Sequence, residues 1–383
     1  MRTEFQAAIA QLIHEKGLPQ DVVMEAVANA LLAAYRKTTD GGENVRIEVA
    51  RSGDVHVWAN RKVVAQAQNT AEEISLAEAQ QIDPHAALGQ YMEVDSPQIF
   101  NRIPAQTAKQ IILQRIREAE QDYLFESFKD RIDDMVMGTI IRREPDPNPR
   151  SRGEAMWILD LGKIEGALPY AEQVHTPAER LRVGQRLRVY VYDLKRGGGR
   201  GVLALVSRTH RNIIKRLFEL EVPEIFNGQV EVKAIAREPG SRSKVAVWAR
   251  QENIDPIGAC VGVRGTRINN VVNELGGEKV DIILWDPDPE QFVANALSPV
   301  KPLKVELREA DHTALVTVPE RQLSLAIGKD GQNARLAARL TGWRIDVLRP
   351  SENGNDAAPE QVEVSAEPEP EVAQLESAER VEG

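Results

Sequence analysis

Ala259–Ile283 reads ACVGVRGTRINNVVNELGGEKVDII, and Ala326–Val347 reads AIGKDGQNARLAARLTGWRIDV. Laying one on the other puts Val261 on Ile327, Gly262 on Gly328 and Gly265 on Gly331, at a shift of 66 residues. Val271 then meets Ala337, and Gly276 meets Gly342. One dropped residue aligns Val280-Asp281-Ile282 with Ile345-Asp346-Val347. Each copy is an apolar segment, a Gly-x-x-Gly turn, an amphipathic helix of roughly ten residues and an apolar strand. A supersecondary unit used twice fixes the architecture more firmly than any single motif.

Two glycines around two variable residues allow backbone angles closed to other residues and leave no side chain in the way of close approach. A helix N-terminus follows at once, and its unpaired N–H groups and partial positive charge suit a phosphate. KH domains clamp a single-stranded nucleic-acid backbone in this way. In the first copy the clamp is Gly262, Val263, Arg264 and Gly265, with Arg267 just beyond it. In the second it is Gly328, Lys329, Asp330 and Gly331, with Arg335 one helical turn on. A carboxylate would repel a phosphate, so Asp330 is expected to point outward. A lone Gly-x-x-Gly is usually an ordinary helix-ending turn; two in one repeated frame point to nucleic acid.

Working outward, Thr209–Leu220 has helical spacing and leads through VPEI to alternating strands at Gly228–Arg237 and Ser243–Arg250. The EPGSR turn between those strands brings Arg237, Arg242 and Lys244 close together as a further candidate RNA contact. A second helix–strand–strand set, Glu290–Leu297, Leu303–Leu307 and Ala314–Val318, precedes the second turn. Two KH units are thus expected, at residues 209–286 and 287–349. The short Asp-Pro connection implies that they pack as one rigid pair.

Before them, residues 131–208 hold five short alternating strands (MVMGTIIRR, MWILDLG, EGALP, QRLRVYVYDLK and GVLALVSRT) between Gly- and Pro-containing turns. That pattern predicts a small OB-type barrel, a common binder of single strands. Its aromatics are Trp157, Tyr170, Tyr190 and Tyr192. Tyr190 and Tyr192 share a face, either as a base-stacking pair or as barrel wall.

Residues 1–128 read as an α/β unit. Residues 3–16 and the stripe Val23, Val27, Leu31 and Ala34 are helical, Val45/Ile47/Val49 and Val55/Val57/Ala59 form a hairpin, and Ser75-Leu-Ala-Glu78 is a capping box. A long helix at 107–129 closes the unit. After Pro350 composition collapses to Glu, Ala, Ser, Pro and Val without aromatics, the signature of a disordered acidic tail over 350–383. The fold class expected is multidomain α+β: an α/β N-terminal domain, an OB-fold β-barrel, two tandem prokaryotic-type (type II) KH domains and a disordered acidic tail.

The net charge of −10 is unevenly spread. Residues 351–383 carry −9, residues 1–130 carry −6, residues 131–208 carry +4 and residues 209–350 carry +1, which sum to that total. No segment is strongly basic, so nonspecific affinity for RNA should be modest and salt-sensitive. The single cysteine, Cys260, excludes an intrachain disulfide framework and fits a reducing cytoplasm. No 18-residue apolar run suits a membrane, and the N-terminus does not read as a signal peptide. The six histidines lie at no metal-ligand spacing, and there is no P-loop or nucleophile elbow. No cofactor, no metal and no enzymatic activity are expected.

Five stretches carry a closer likeness: EFQAAIAQLIHEKG, RIPAQTAKQIILQRIREAE, LVSRTH…LFELEVPEI, AIAREPGSRSKVAVWA…DPIGACVG and AIGKDGQNARLAARLTGW. Over residues 3–349 the chain resembles the NusA family of bacterial transcription termination/antitermination factors. The resemblance implies an N-terminal domain that docks on RNA polymerase near the RNA exit channel, and a barrel and KH pair that receive emerging single-stranded RNA. It implies effects on pausing, termination and antitermination, with other Nus factors and ribosomal proteins as further partners. In the family the basic residues of the RI…QTAK motif, here Arg102 and Lys109, lie near the nascent RNA hairpin, and Arg36 and Lys37 extend that candidate basic edge. A cytoplasmic monomer is expected.

The sequence departs from the family at Pro104, where a small residue is expected, and at EPDPNPRSRG, which lengthens the first barrel hairpin and adds Arg150 and Arg152. The likeness does not extend to the acidic C-terminal repeats of some members, so their roles are not carried over. Two other readings share the RNA modules: an RNA-processing enzyme, which would need a catalytic core in residues 1–128, and a ribosome-assembly factor, which would not bind polymerase.

Overall fold

The computed structural model describes residues 18–38, 45–50, 55–68, 72–95, 105–151, 153–196, 201–251 and 253–350; the side chains of 34–38, 105–109 and 150 lie outside the description. The expected first helix at 3–16 and the tail at 351–383 are likewise outside it. The chain forms two compact units, one from residues 1–130 with 194–203, the other from residues 131–193 with 204–383.

In the first unit α1 (Gln20–Thr38) buries Val23, Val27 and Leu31, which recur every fourth residue on one face. β1 (Val45–Val49) and β2 (Val55–Val64) pair antiparallel with Val45 opposite Ala59 and Val49 opposite Val55. That register turns Ile47, Val49, Val57 and Ala59 onto α1. β3 (Glu73–Ser75) runs parallel to β2 and leads into α2 (Leu76–Ile82). The expected capping box is formed: the Ser75 hydroxyl accepts from Glu78 N–H and the Glu78 carboxylate accepts from Ser75 N–H. β4 (Tyr91–Asp95) pairs antiparallel with β2. The long helix α3 (Ala105–Lys129) lays Ile112, Ile116, Ala119 and Tyr123 against the same core. Complete burial of a Val, Leu or Ile contributes about 1.5–3 kcal/mol.

Next along the chain come β5 (Met135–Pro145), β6 (Ala155–Asp160), β7 (Glu165–Leu168), β8 (Arg186–Arg196) and β9 (Val202–Ser207), closed as a barrel in the order β5-β6-β7-β9-β8. This is the strand order of the OB-fold, one strand for each of the five segments read from sequence.

The first KH unit follows as α4 (Asn212–Glu221), α5 (Pro223–Phe226), β10 (Val230–Glu238), β11 (Arg242–Ala249), α6 (Pro256–Val261), α7 (Thr266–Glu274) and β12 (Lys279–Leu284). The second is α8 (Pro289–Ala296), β13 (Lys304–Arg308), β14 (Thr313–Thr317), α9 (Leu323–Ile327), α10 (Gln332–Thr341) and β15 (Arg344–Leu348). In each, the first two strands are antiparallel, and the helix pair returns the third strand parallel to the second.

Both faces of the first KH sheet are covered. Val245 and Val247 of β11 point into a core with α4, α6 and α7, while Ala246 between them joins Ala236 and Ile283 in a core with α8 and α10 of the second unit. Period-two alternation thus explains why β11 is apolar on consecutive positions, as strands buried on both sides are. The same alternation puts Lys244 on the face toward the second KH unit.

Candidate nucleic-acid interface

α6 starts at an Asp255 cap, whose carboxylate accepts from Ile257 N–H at 3.1 Å, and ends at Gly262. Gly262 lies at φ 74, ψ 175, Arg264 at φ 53, ψ 27 and Gly265 at φ 76, ψ 15. In the second copy Gly328 lies at φ 78, ψ 174, Asp330 at φ 51, ψ 32 and Gly331 at φ 73, ψ 10. Different side chains therefore stand on the same backbone. A non-glycine in the left-handed region costs about 1–2 kcal/mol, so both turns hold strain.

That strain has a geometric product. Among the described residues, the N–H groups of Val263, Arg264, Lys329 and Asp330 have no acceptor in the protein. Each pair sits just before a helix of nine or ten residues, α7 or α10. Adjacent free donors at a helix start form an anion cradle. Val263 is 80% exposed, and Arg264 and Lys329 are exposed without an ion pair among the described residues. Asp330 is exposed as well, consistent with a carboxylate kept away from bound phosphate.

Several cations expected at the interface are already paired within the protein. Arg267 is not a free cation: its Nη1 donates to Ala259 O at 2.7 Å and to Glu224 Oε2 at 3.0 Å. Arg335 donates through Nε to Glu238 Oε1 at 2.6 Å. Arg237 is buried and paired with Glu278, and its Nη1 also donates to His210 O at 2.9 Å. Arg242 donates to both Asp281 carboxylate oxygens, at 2.6 and 2.9 Å. Lys244 is 0% exposed, its Nζ donating to Ser298 O at 3.0 Å with Asp281 at 3.8 Å. The three cations do cluster, as the EPGSR turn implies, but Glu278 and Asp281, flanking and within β12, consume them. The signal was in the sequence: one acid just before, and one within, a strand parallel to β11.

Tyr190 and Tyr192 are also corrected. Tyr190 is 0% exposed, its hydroxyl donating to Asp133 Oδ1 at 2.8 Å and its ring stacked on His210 at 4.3 Å. Tyr192 packs against the core of the first KH unit, and burial with nearby carboxylates pushes its phenol up to about 12. The shared face is the joint between barrel and KH unit. The barrel's two other aromatics are half-buried: Trp157, with the Arg143 guanidinium 5.6 Å from its ring centroid, and Tyr170, whose ring lies 4.2 Å from His175.

Of the N-terminal candidates, Arg102 lies outside the described residues. Lys109 sits in the first turns of α3, and Arg36 and Lys37 in the last turn of α1, with their side chains outside the description. Among the described residues no group of three or more His, Cys, Asp or Glu side chains could hold a metal ion, and no helix is long and apolar enough to cross a membrane.

A closed barrel of OB strand order, followed by two KH folds with matched anion cradles, defines a multi-module RNA-binding protein. Family models agree: the NusA N-terminal domain matches residues 4–122, the NusA-like first KH domain residues 208–285, and the NusA-like second KH domain residues 289–355. The transcription termination/antitermination protein NusA of Halalkalibacterium halodurans is 45% identical over 354 residues, spanning 92% of this chain and 90% of its own. The protein of that name from Bacillus subtilis is 44% identical over 91% of each chain, and that from Thermus thermophilus 40% identical over 90% of this chain and 89% of its own. The chain belongs to the NusA family.

Proposed function

We propose that this chain is a transcription elongation factor that binds RNA polymerase and nascent single-stranded RNA to modulate pausing, termination and antitermination. The observation that carries the reading is the pair of turns with one backbone conformation, each offering two unpartnered N–H groups and an exposed cation. The relatives' shared name, transcription termination/antitermination protein, supplies the process in which that binding is used.

In this reading residues 1–128 dock on polymerase, and Arg36, Lys37, Arg102 and Lys109 face the nascent RNA hairpin. Residues 131–208, 209–286 and 287–349 receive the transcript as barrel, first KH and second KH domain. Other Nus factors and ribosomal proteins are its further partners, and it works in the cytoplasm as a monomer. The protein binds rather than turns over RNA; product from labelled RNA incubated with magnesium or manganese would overturn that part.

The test uses the full chain with purified core polymerase on a template bearing a strong pause. Val263→Asp with Arg264→Asp, and separately Lys329→Asp, put repelling charge at the cradles. RNA affinity should fall about tenfold or more, 1.4 kcal/mol or above. Pause lifetimes should shorten toward those of polymerase alone. RNA affinity unchanged in both variants would sink the reading.

A further inference from the structure

The hairpin between β10 and β11, Glu238 to Arg242, touches all three RNA modules. Gly240 at its tip has φ +73, and a Cβ there would lie 2.5 Å from Thr176 Cγ2 and 2.6 Å from Val174 Cγ1 of the barrel segment. Only glycine meets both demands, so the barrel closes directly onto the hairpin. Within its own unit, Gly240 N–H donates to Glu278 Oε2 at 2.8 Å, the carboxylate that also holds Arg237.

Toward the second KH unit the contacts are directional. Gln332, the first residue of α10, donates through Nε2 to Glu238 Oε2 at 2.7 Å and to Ser241 Oγ at 2.8 Å. Arg335 Nε donates to Glu238 Oε1 at 2.6 Å, and Arg335 Nη1 donates to Asp330 O at 3.1 Å. One guanidinium therefore ties a carboxylate of the first KH unit to a backbone carbonyl inside the second unit's turn. Burial alone would raise the Glu238 carboxyl, but the bonds from Arg335 and Gln332 outweigh it and hold the group below its usual range. Among the described residues the first turn has no matching tie: at the position of Arg335 it carries Asn269.

We infer that Glu238 is a positioning residue for RNA at the second turn: through Arg335 it fixes the Asp330 carbonyl, next to the free N–H groups of Lys329 and Asp330, so the first KH unit sets the geometry of the second unit's phosphate cradle. The inference rests on the reading that both turns take phosphates. Its content is an asymmetry, with the second turn dependent on a residue of the neighbouring unit and the first turn self-sufficient.

The experiment measures binding of a single-stranded RNA to the full chain in two backgrounds. Val263→Asp with Arg264→Asp leaves the second turn to report, and Lys329→Asp leaves the first. Glu238→Gln, which keeps shape and an amide oxygen but loses the charge, should weaken residual binding roughly three- to tenfold in the first background and not in the second. Arg335→Lys keeps the cation without the two-armed reach and should reproduce that selectivity, which guards against a folding defect peculiar to position 238. Equal loss in both backgrounds, or none in either, would overturn the inference while leaving the phosphate reading intact. If the turn substitutions themselves leave RNA binding unchanged, the phosphate reading falls and takes this inference with it.

Discussion

Arg267 and Asn333 occupy the same position in the two turn units, and each donates to the same carbonyl: Ala259 O in the first, Leu325 O in the second. A long cation and a short amide thus solve one problem, the unpaired carbonyls that end the short helix before the turn. Their surroundings differ. Asn333 is 6% exposed, and the two N–H groups of its Nδ2 are shared among Ala326 O at 3.1 Å, Leu297 O and Leu325 O, whereas the Arg267 side chain is 31% exposed, so water can replace it. Asn333→Ala should therefore cost about 2 kcal/mol and Arg267→Ala about 1 kcal/mol or less. Calorimetric melting of the two variants checks the order; an equal or reversed order would contradict it.

The turn glycines should not be equivalent. A Cβ on Gly328 would sit 2.7 Å from the backbone N of Asn333, and one on Gly262 would sit 2.7 Å from Arg267 Cγ, part of a movable side chain. On Gly265 it would meet nothing nearer than Asn269 Nδ2 at 3.5 Å. All three have positive φ: Gly265 is left-handed helical, where alanine costs about 1–2 kcal/mol, and Gly262 and Gly328, with ψ near 175, lie in a region essentially confined to glycine, where it costs about 1–3 kcal/mol. Only Gly328→Ala must also displace the start of α10. Loss of stability should rank Gly328→Ala, then Gly262→Ala, then Gly265→Ala, read from thermal melting of the three proteins.

The fold was legible because its signals are local and periodic. The repeated Gly-x-x-Gly frame, the five barrel strands and the Ser75–Glu78 box need only neighbouring residues for their reading. The candidate site was legible only where a residue's place is set by backbone: the turns themselves. Arg237, Arg242, Lys244 and Arg335 look like RNA ligands in one dimension because their acids, Glu278, Asp281 and Glu238, lie dozens of residues away. In the sequence Tyr190 stays open between stacking partner and barrel wall for a related reason. Period two shows that two residues share a face, but not which neighbour covers it.

Lys244 offers a pH test. Burial first, with Arg242 nearby, lowers its ammonium from 10.5 to about 8 despite the partial support of Asp281. In the unfolded chain it regains the ordinary value, so between about 8 and 10.5 the unfolded state binds more protons and stability rises with pH. Below that window the cost of the buried charge is fully present. Lys244→Met removes the cost, and at pH 7 should stabilise by about 1–2 kcal/mol if Arg242 still satisfies Asp281. The advantage over the parent should shrink as pH rises to 10, which paired denaturation curves at the two pH values would show. A constant difference would mean that Lys244 does not titrate in the window.

Tyr190 and Trp157 should separate structure from binding in the barrel. The Tyr190 hydroxyl donates to Asp133 and accepts from Asn212 Nδ2 at 3.1 Å, within the buried joint to the first KH unit. Tyr190→Phe keeps the ring on His210 and leaves Asp133 and Asn212 short of a partner, a loss of about 1–2 kcal/mol in stability with RNA affinity unchanged. Trp157 instead lies on the barrel's outer face with Arg143 across its ring, a surface on which a base could stack. Stacking on an aromatic contributes about 1–3 kcal/mol per base, so Trp157→Ala should weaken binding of single-stranded RNA roughly five- to a hundredfold. Trp157→Phe should restore part of it, since any aromatic face accepts a base. Melting temperature and RNA affinity measured on the same three proteins decide the matter. If Tyr190→Phe lowers affinity as much as Trp157→Ala does, the joint rather than the outer face governs RNA binding by the barrel.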